Sequence, residues 1–170
     1  WGIDPEAVLK KITSKTKAII AVHLYGHPAD MDPLIDICSQ YDIKLIEDAA
    51  EAHGARYKGQ RVGGIAPIGT FSFFGNKILS TGEGGMVTTN DDALAEKIRR
   101  LRDHGAAMTD LQRHLGARPY LLADHPDAGY NQRMTDLQAA LGSAQMDRAN
   151  QIVIERQALA ERYDDAFADL

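Results

Sequence analysis

Three polar side chains fall where an α/β protein would present them to a ligand. Asp48 ends the run Ile43-Lys44-Leu45-Ile46-Glu47-Asp48, Ser72 lies inside Thr70-Phe71-Ser72-Phe73-Phe74, and Lys77 follows directly after it. Open α/β sheets bind ligands at the carboxyl ends of their strands. Lys77 is also flanked by Gly75 on one side and by Gly82, Gly84 and Gly85 on the other. Glycines in such a loop permit positive φ and let a ligand approach the backbone. A partly desolvated amine there suits a lysine that condenses with an aldehyde. On spacing alone, a solvated loop lysine is the commoner case, Asp48 reads as well as a cap or turn residue, and Ser72 carries no signal.

The elements that would position these groups follow from patterning. Asp4-Pro5-Glu6 reads as an N-cap, a first-turn proline and an acidic first turn, opening a short helix that carries Val8, Leu9 and Ile12 toward a core. Ala18–Val22 is an apolar strand. A helix over 32–41 spaces Leu34, Cys38 and Tyr41, and the strand at 43–46 follows. Strand, helix and strand imply a parallel sheet with a right-handed crossover. Residues 54–69 read as turns with a short hairpin, and 86–89 as a further strand. Asn90-Asp91-Asp92 caps a helix with Leu94, Ile98 and Leu101 on one face, and Arg99, Arg100 and Arg102 complement its dipole. Residues 104–130 read as an irregular loop containing Pro119, His104, His114 and His125, followed by Arg133, which would fix the turn ahead of the next helix. From about Thr135 a single long helix is expected. Its stripe of Leu137, Leu141, Ala144, Ile152, Leu159, Tyr163 and Phe167 would pack against a partner.

Composition narrows the classes. The 170 residues are 44% hydrophobic and 25% charged with a net charge of −5, a globular profile that gives nucleic-acid binding no electrostatic support. A chain of this size buries roughly 70% of its unfolded surface. One cysteine, Cys38, excludes an intrachain disulfide and fits a cytoplasmic setting; in its helical context it reads as a buried, inert thiol. No run of about 18 apolar residues is present, so no membrane contact is expected. The chain begins at Trp1, as a piece of a longer protein would.

Taken together, the segments carry more than any one of them. Val22-His23-Leu24-Tyr25-Gly26, Glu47-Asp48-Ala49-Ala50-Glu51-Ala52-His53-Gly54, Phe71-Ser72-Phe73-Phe74-Gly75-Asn76-Lys77, Gly82-Glu83-Gly84-Gly85-Met86 and Gly129-Tyr130-Asn131-Gln132-Arg133-Met134-Thr135 resemble, in order, the DegT/DnrJ/EryC1/StrS group of fold-type I pyridoxal-phosphate enzymes. The resemblance spans nearly the whole chain, with perosamine-type aminotransferases among the similar members. It implies the three-layer α/β/α sandwich of the pyridoxal-phosphate transferase large domain over 1–134, with 135–170 a long helix leading to a small C-terminal domain. It implies transfer of an amino group from an amino acid, glutamate, to the keto group of a nucleotide-linked deoxysugar, for cell-surface polysaccharide or antibiotic sugars. Lys77 would bind pyridoxal 5'-phosphate covalently and shuttle the proton, Asp48 would pair with the pyridine nitrogen, and Ser72 would donate to the phosphate. Asn131 would reach the phosphate of a neighbouring subunit's cofactor, which implies a homodimer with shared sites. Glu51 stands where many members have glutamine, facing the ring's phenolic oxygen, and a carboxylate there requires a proton on one of the two groups.

Three rivals are weighed against this. Dehydratases of the same group carry histidine at the lysine position, which here is Lys77. Against a non-catalytic binding module stands the presence of Lys77, Asp48 and Ser72 together, which leaves a truncated chain open. A metal-dependent hydrolase could draw on His23, His27, Asp30, Asp48 and His53, but His23 and His27 lie four apart in a loop holding Gly26 and Pro28. The two-histidine zinc geometry therefore has no helical scaffold, and no metal site is expected.

Overall fold

The computed structural model describes residues 1–118, 120, 122 and 124–168, with Asp110 through its backbone alone. Two compact units emerge, one of Trp1–Thr88 with Asp136–Leu170 and one of Thr89–Thr135.

The first unit is built on a four-stranded sheet of β1 (Ala18–Val22), β2 (Lys44–Asp48), β5 (Ile68–Ser72) and β6 (Gly85–Thr88), in that order. β1, β2 and β5 run parallel and β6 is antiparallel to β5, so the β–α–β expectation holds. Side chains alternate across the sheet. Ile19, Ala21 and Leu45 point to a face covered by α2 (Met31–Tyr41), where Met31, Leu34, Ile37 and Cys38 complete the main core. Each Ile, Leu or Met among them contributes about 1.5–3 kcal/mol on full burial. The opposite face is open: Ile20 is 56% and Val22 40% exposed. Helix α1 (Pro5–Leu9) begins as expected, with Asp4 Oδ1 accepting from the Glu6 N–H at 2.9 Å. Val8 and Ile12 pack on the core, whereas Leu9 faces out.

A hairpin of β3 (Arg56–Tyr57) and β4 (Gln60–Arg61) occupies the turn-rich stretch. Its Tyr57 hydroxyl donates to Asp30 Oδ1 at 2.6 Å and accepts from the Asp32 N–H at 3.2 Å, satisfying the start of α2 from another element.

One buried carboxylate ties these parts together. Glu47, wholly inaccessible on β2, accepts from the amides of Gly63, Ile65 and Ala66 at 2.7 Å each and from His23 Nε2 at 3.1 Å. His23 Nδ1 accepts from the Ala29 N–H at 3.1 Å, so the imidazole proton sits on Nε2 and points at Glu47. Gly63 has to be glycine: its φ is +80°, and a Cβ there would lie 2.3 Å from the Phe71 ring. Burial raises the Glu47 pKa, but the donors from His23, Ala66, Gly63 and Ile65 outweigh it and hold the group below its ordinary value.

In the second unit, α3 (Asp92–Arg102) is capped by Asp91 Oδ1, which accepts from the Leu94 N–H at 3.0 Å. Arg100 pairs with Asp127 at 3.0 Å, and Arg133 with Asp103 at 3.2 Å. The stretch read as irregular contains a helix, α4 (Asp110–Leu115), whose Thr109 and Gln112 form a reciprocal capping box. The Thr-x-x-Gln signature was the available signal. Pro119, Leu121 and Ala123 of that stretch lie outside the described residues.

The single helix expected from Thr135 is built as two, α5 (Asp136–Met146) and α6 (Ala149–Ala166). The Arg148 N–H bonds back only three residues, to the Gln145 carbonyl, and Arg148 leaves helical geometry at φ −107°, ψ 4°.

Replacing Glu47 by Ala leaves three main-chain donors and an imidazole N–H unpaired in the interior. The expected loss is about 3–5 kcal/mol in denaturant unfolding. A depressed carboxyl pKa stabilises above its unfolded value and loses that contribution as pH falls through the folded one. The wild type should therefore weaken below about pH 4.3, and Glu47→Ala should show a shallower acid limb.

Candidate active site

Asp48 and Ser72 reach one end of one sheet face. The parallel register pairs Asp48 with Thr70, and Ser72 is two residues further toward the same carboxyl end. Alternation puts all three on the open face, opposite Glu47. Asp48 Oδ1 accepts from the Ala50 N–H at 3.1 Å, which orients the carboxylate at the strand's rim. Ser72 Oγ accepts from the Phe74 N–H at 3.2 Å, which leaves its proton to donate.

Lys77 lies in a turn beyond β5, its N–H bonded to the Phe74 carbonyl at 3.0 Å. The side chain is only 17% exposed, and its Nζ lies 3.4 Å from Glu51 Oε1. The other Glu51 oxygen accepts from the Tyr25 N–H at 2.8 Å. Tyr25 adopts left-handed backbone geometry at φ 52° and ψ 28°, uncommon for a bulky residue and typical of functional sites. The Tyr25 N–H, opposed by partial burial and helped by the Lys77 ammonium, holds the Glu51 carboxyl below its ordinary range. Glu51 is thus an anion fixed beside the lysine.

His53 supports the site from beneath. It is 7% exposed, its ring lies 5.3 Å from that of Phe71 and 5.8 Å from that of Phe73, and neither nitrogen has a hydrogen-bond partner. Burial, with the Lys77 charge, pushes its pKa below the ordinary value; the Ser72 main chain is near enough to push the other way but forms no hydrogen bond with the ring. An uncharged imidazole here packs as an aromatic plate behind the strand that carries Ser72.

Asn131 stands apart from these residues in the chain's division. It belongs to the second unit, where it is exposed and forms an isolated bridge with Asp103. The residues of the hydrolase reading do not assemble. His23 uses both nitrogens internally, and among the described residues no three His, Cys, Asp or Glu side chains gather to hold a metal. Cys38 is a free, buried thiol whose pKa burial raises. Sequence reasoning gave Glu47 no role, because its partners are main-chain amides and a histidine distant in sequence; it read His23 and His53 as hydrogen-bonded, which holds for His23 alone.

The chain is thus an α/β protein with a lysine–carboxylate pair in the turn after β5 and an acid and a hydroxyl at adjacent strand ends. Over residues 1–170 the chain matches the DegT/DnrJ/EryC1/StrS aminotransferase family, and it belongs to that family. It is 44% identical over 170 residues to a GDP-perosamine synthase of Caulobacter vibrioides, covering 100% of this chain and 43% of that protein. The X-ray structure of an aminotransferase from Psychrobacter cryohalolentis superposes with a TM-score of 0.89 at 43% identity, over 98% of this chain and 42% of that one. An E. coli GDP-4-keto-6-deoxy-D-mannose-3-dehydratase with bound hydrated PLP is similar at a TM-score of 0.82 and 28% identity, over 99% of this chain and 45% of that one. The chain thus spans less than half the length of these relatives. No described helix is long and apolar enough to cross a membrane.

A histidine kept neutral by the fold supports stability fully above about pH 6.5 and progressively less below it. His53→Phe, which keeps the ring stack without a titrating group, should flatten the fall in thermal midpoint between pH 6.5 and 5. An unchanged slope in that variant would show that His53 does not contribute to it.

Proposed function

We propose that this chain is the lysine-bearing part of a pyridoxal-phosphate-dependent aminotransferase. It would move an amino group from an amino acid, glutamate, to the keto group of a nucleotide-linked deoxysugar. The observation that carries the reading is the largely buried Lys77 amine held beside the Glu51 carboxylate. A lysine in solvent would need neither the enclosure nor the partner. The 44% identity to a protein named GDP-perosamine synthase supports the sugar-nucleotide class of substrate.

The residues present fit the cofactor. When bound, pyridoxal phosphate supplies an aldehyde and an electron sink. Lys77 Nζ would hold it covalently and, when free, would carry a proton between the cofactor's carbon and the substrate's carbon. Asp48 would pair with the ring nitrogen and keep it protonated. The Ser72 hydroxyl would donate to the phosphate. Glu51, an anion tethered by the Tyr25 N–H, would face the phenolic oxygen and favour a proton on it, which would remove the repulsion between two charged oxygens. Asn131 reaches the phosphate of a second subunit's cofactor, so the assembly is a homodimer with shared sites. Residues 1–134 belong to the large domain and 135–170 lead toward a small C-terminal one. The free, buried Cys38 suits a cytoplasmic enzyme. A dehydratase of this group would carry histidine where Lys77 stands, and a non-catalytic module would have no use for the Lys77–Glu51 pair.

Lys77→Ala should abolish both the visible absorbance of the lysine-bound cofactor and amino transfer to nucleotide-linked keto sugars, with the thermal midpoint largely kept. Turnover above about a hundredth of wild type in that variant would be incompatible with a catalytic amine at this position.

A further inference from the structure

Helix α5 meets its own unit through a polar face. Its partly covered residues are Gln138, Gly142 and Gln145, four and three positions apart, while Leu137 is 86% and Leu141 50% exposed. That polar face meets the loop that follows Lys77.

Gln145 gives both ends of its amide to Ser80. Its Oε1 accepts from the Ser80 N–H at 3.0 Å, and its Nε2 donates to the Ser80 carbonyl. This is the pairing a neighbouring β-strand would offer, made here by one side chain. Two helical turns earlier, Gln138 Nε2 donates to the Glu83 carbonyl at 2.9 Å. Between them a Cβ at Gly142 would lie 3.1 Å from Thr81 Cγ2, so its absence lets the helix close on the loop. The neck of the same loop is closed separately. The Phe73 N–H bonds to the Gly84 carbonyl at 2.8 Å, and the Thr81 N–H to the Phe73 carbonyl at 2.9 Å. The segment from Phe73 to Gly84 is therefore a closed loop with Lys77 inside it, fastened at its base by the sheet and along its returning limb by α5.

A reacting amine has to be held within about 0.5 Å of its working position. A loop of this length reaches that precision only when its main chain is fixed on more than one side, since each unfixed residue retains backbone freedom. We propose that Gln145, assisted by Gln138, is a positioning residue for Lys77, acting through the Ser80 and Glu83 main chain without touching cofactor or substrate. The inference rests on Lys77 being the cofactor-binding amine.

The test uses the complete polypeptide and pyridoxal phosphate itself as the probe. Gln145→Leu keeps the size and helix propensity of the residue and removes both bonds to Ser80. It should raise the cofactor's dissociation constant about tenfold, read from the visible band, and speed amide exchange in the peptide covering 78–84. Gln138→Leu, which loses one bond, should move both readings the same way by a smaller factor. Met146→Ser, on the outward face of the same helix, should move neither. Wild-type cofactor affinity together with wild-type exchange in Gln145→Leu would overturn the proposal. Should that variant not fold, unchanged readings in Gln138→Leu would do so instead. A wild-type protein that forms no visible band defeats the reading of Lys77, while the exchange comparison still decides whether α5 braces the loop.

Discussion

The site rests on a carboxylate that performs no chemistry. Glu47 is buried on the covered face of β2, one residue before Asp48, and it collects three main-chain amides from residues 63–66 and the imidazole N–H of His23. A buried charge is tolerated only when its acceptor sites are filled, and filling them fixes three segments at once. The chain leaving β1 is held through His23, the turn ahead of β5 through Gly63, Ile65 and Ala66, and β2 itself through its own backbone. Asp48 then projects to the opposite face with its strand locked in register, and Tyr25, two residues past His23, is brought to Glu51. Neighbouring residues on one strand thus divide the labour, with Glu47 building the frame and Asp48 turned to the open face.

Electrostatics follow the same division. Glu47 is held ionised by hydrogen bonds in the interior, and Glu51 by the Tyr25 N–H at the rim beside Lys77. His53, behind the strand that carries Ser72, is kept neutral by burial and by the Lys77 charge. The lysine therefore has an anion on one side and an uncharged aromatic plate on another. Such a setting separates the roles of charged groups that would otherwise exchange protons freely.

Much of this was legible in the sequence, and the failures are as informative as the successes. The strand end at Asp48, the Asp4 and Asp91 caps and the hairpin at 56–61 follow from local chemistry, which acts within a few residues, whereas the strand expected over 70–74 is built at Ile68–Ser72. Glu47 was silent because its donors are backbone amides 16 to 19 residues away and a histidine 24 residues away, and a backbone amide has no letter in a sequence. In α5 periodicity marks Leu137 and Leu141 as a stripe awaiting a partner, and both are exposed here; it is silent on Gln138 and Gln145, whose partners are main-chain groups of the Lys77 loop. The break before α6 escaped for a related reason, since Asp147 and Arg148 carry neither glycine nor proline to mark it.

Reduction with borohydride after incubation with pyridoxal phosphate, followed by peptide mapping, addresses the central claim directly. The account predicts a single stable adduct on the peptide containing Lys77, lost when the amine is blocked beforehand. Label spread over surface lysines, or concentrated on a residue other than Lys77, would contradict it.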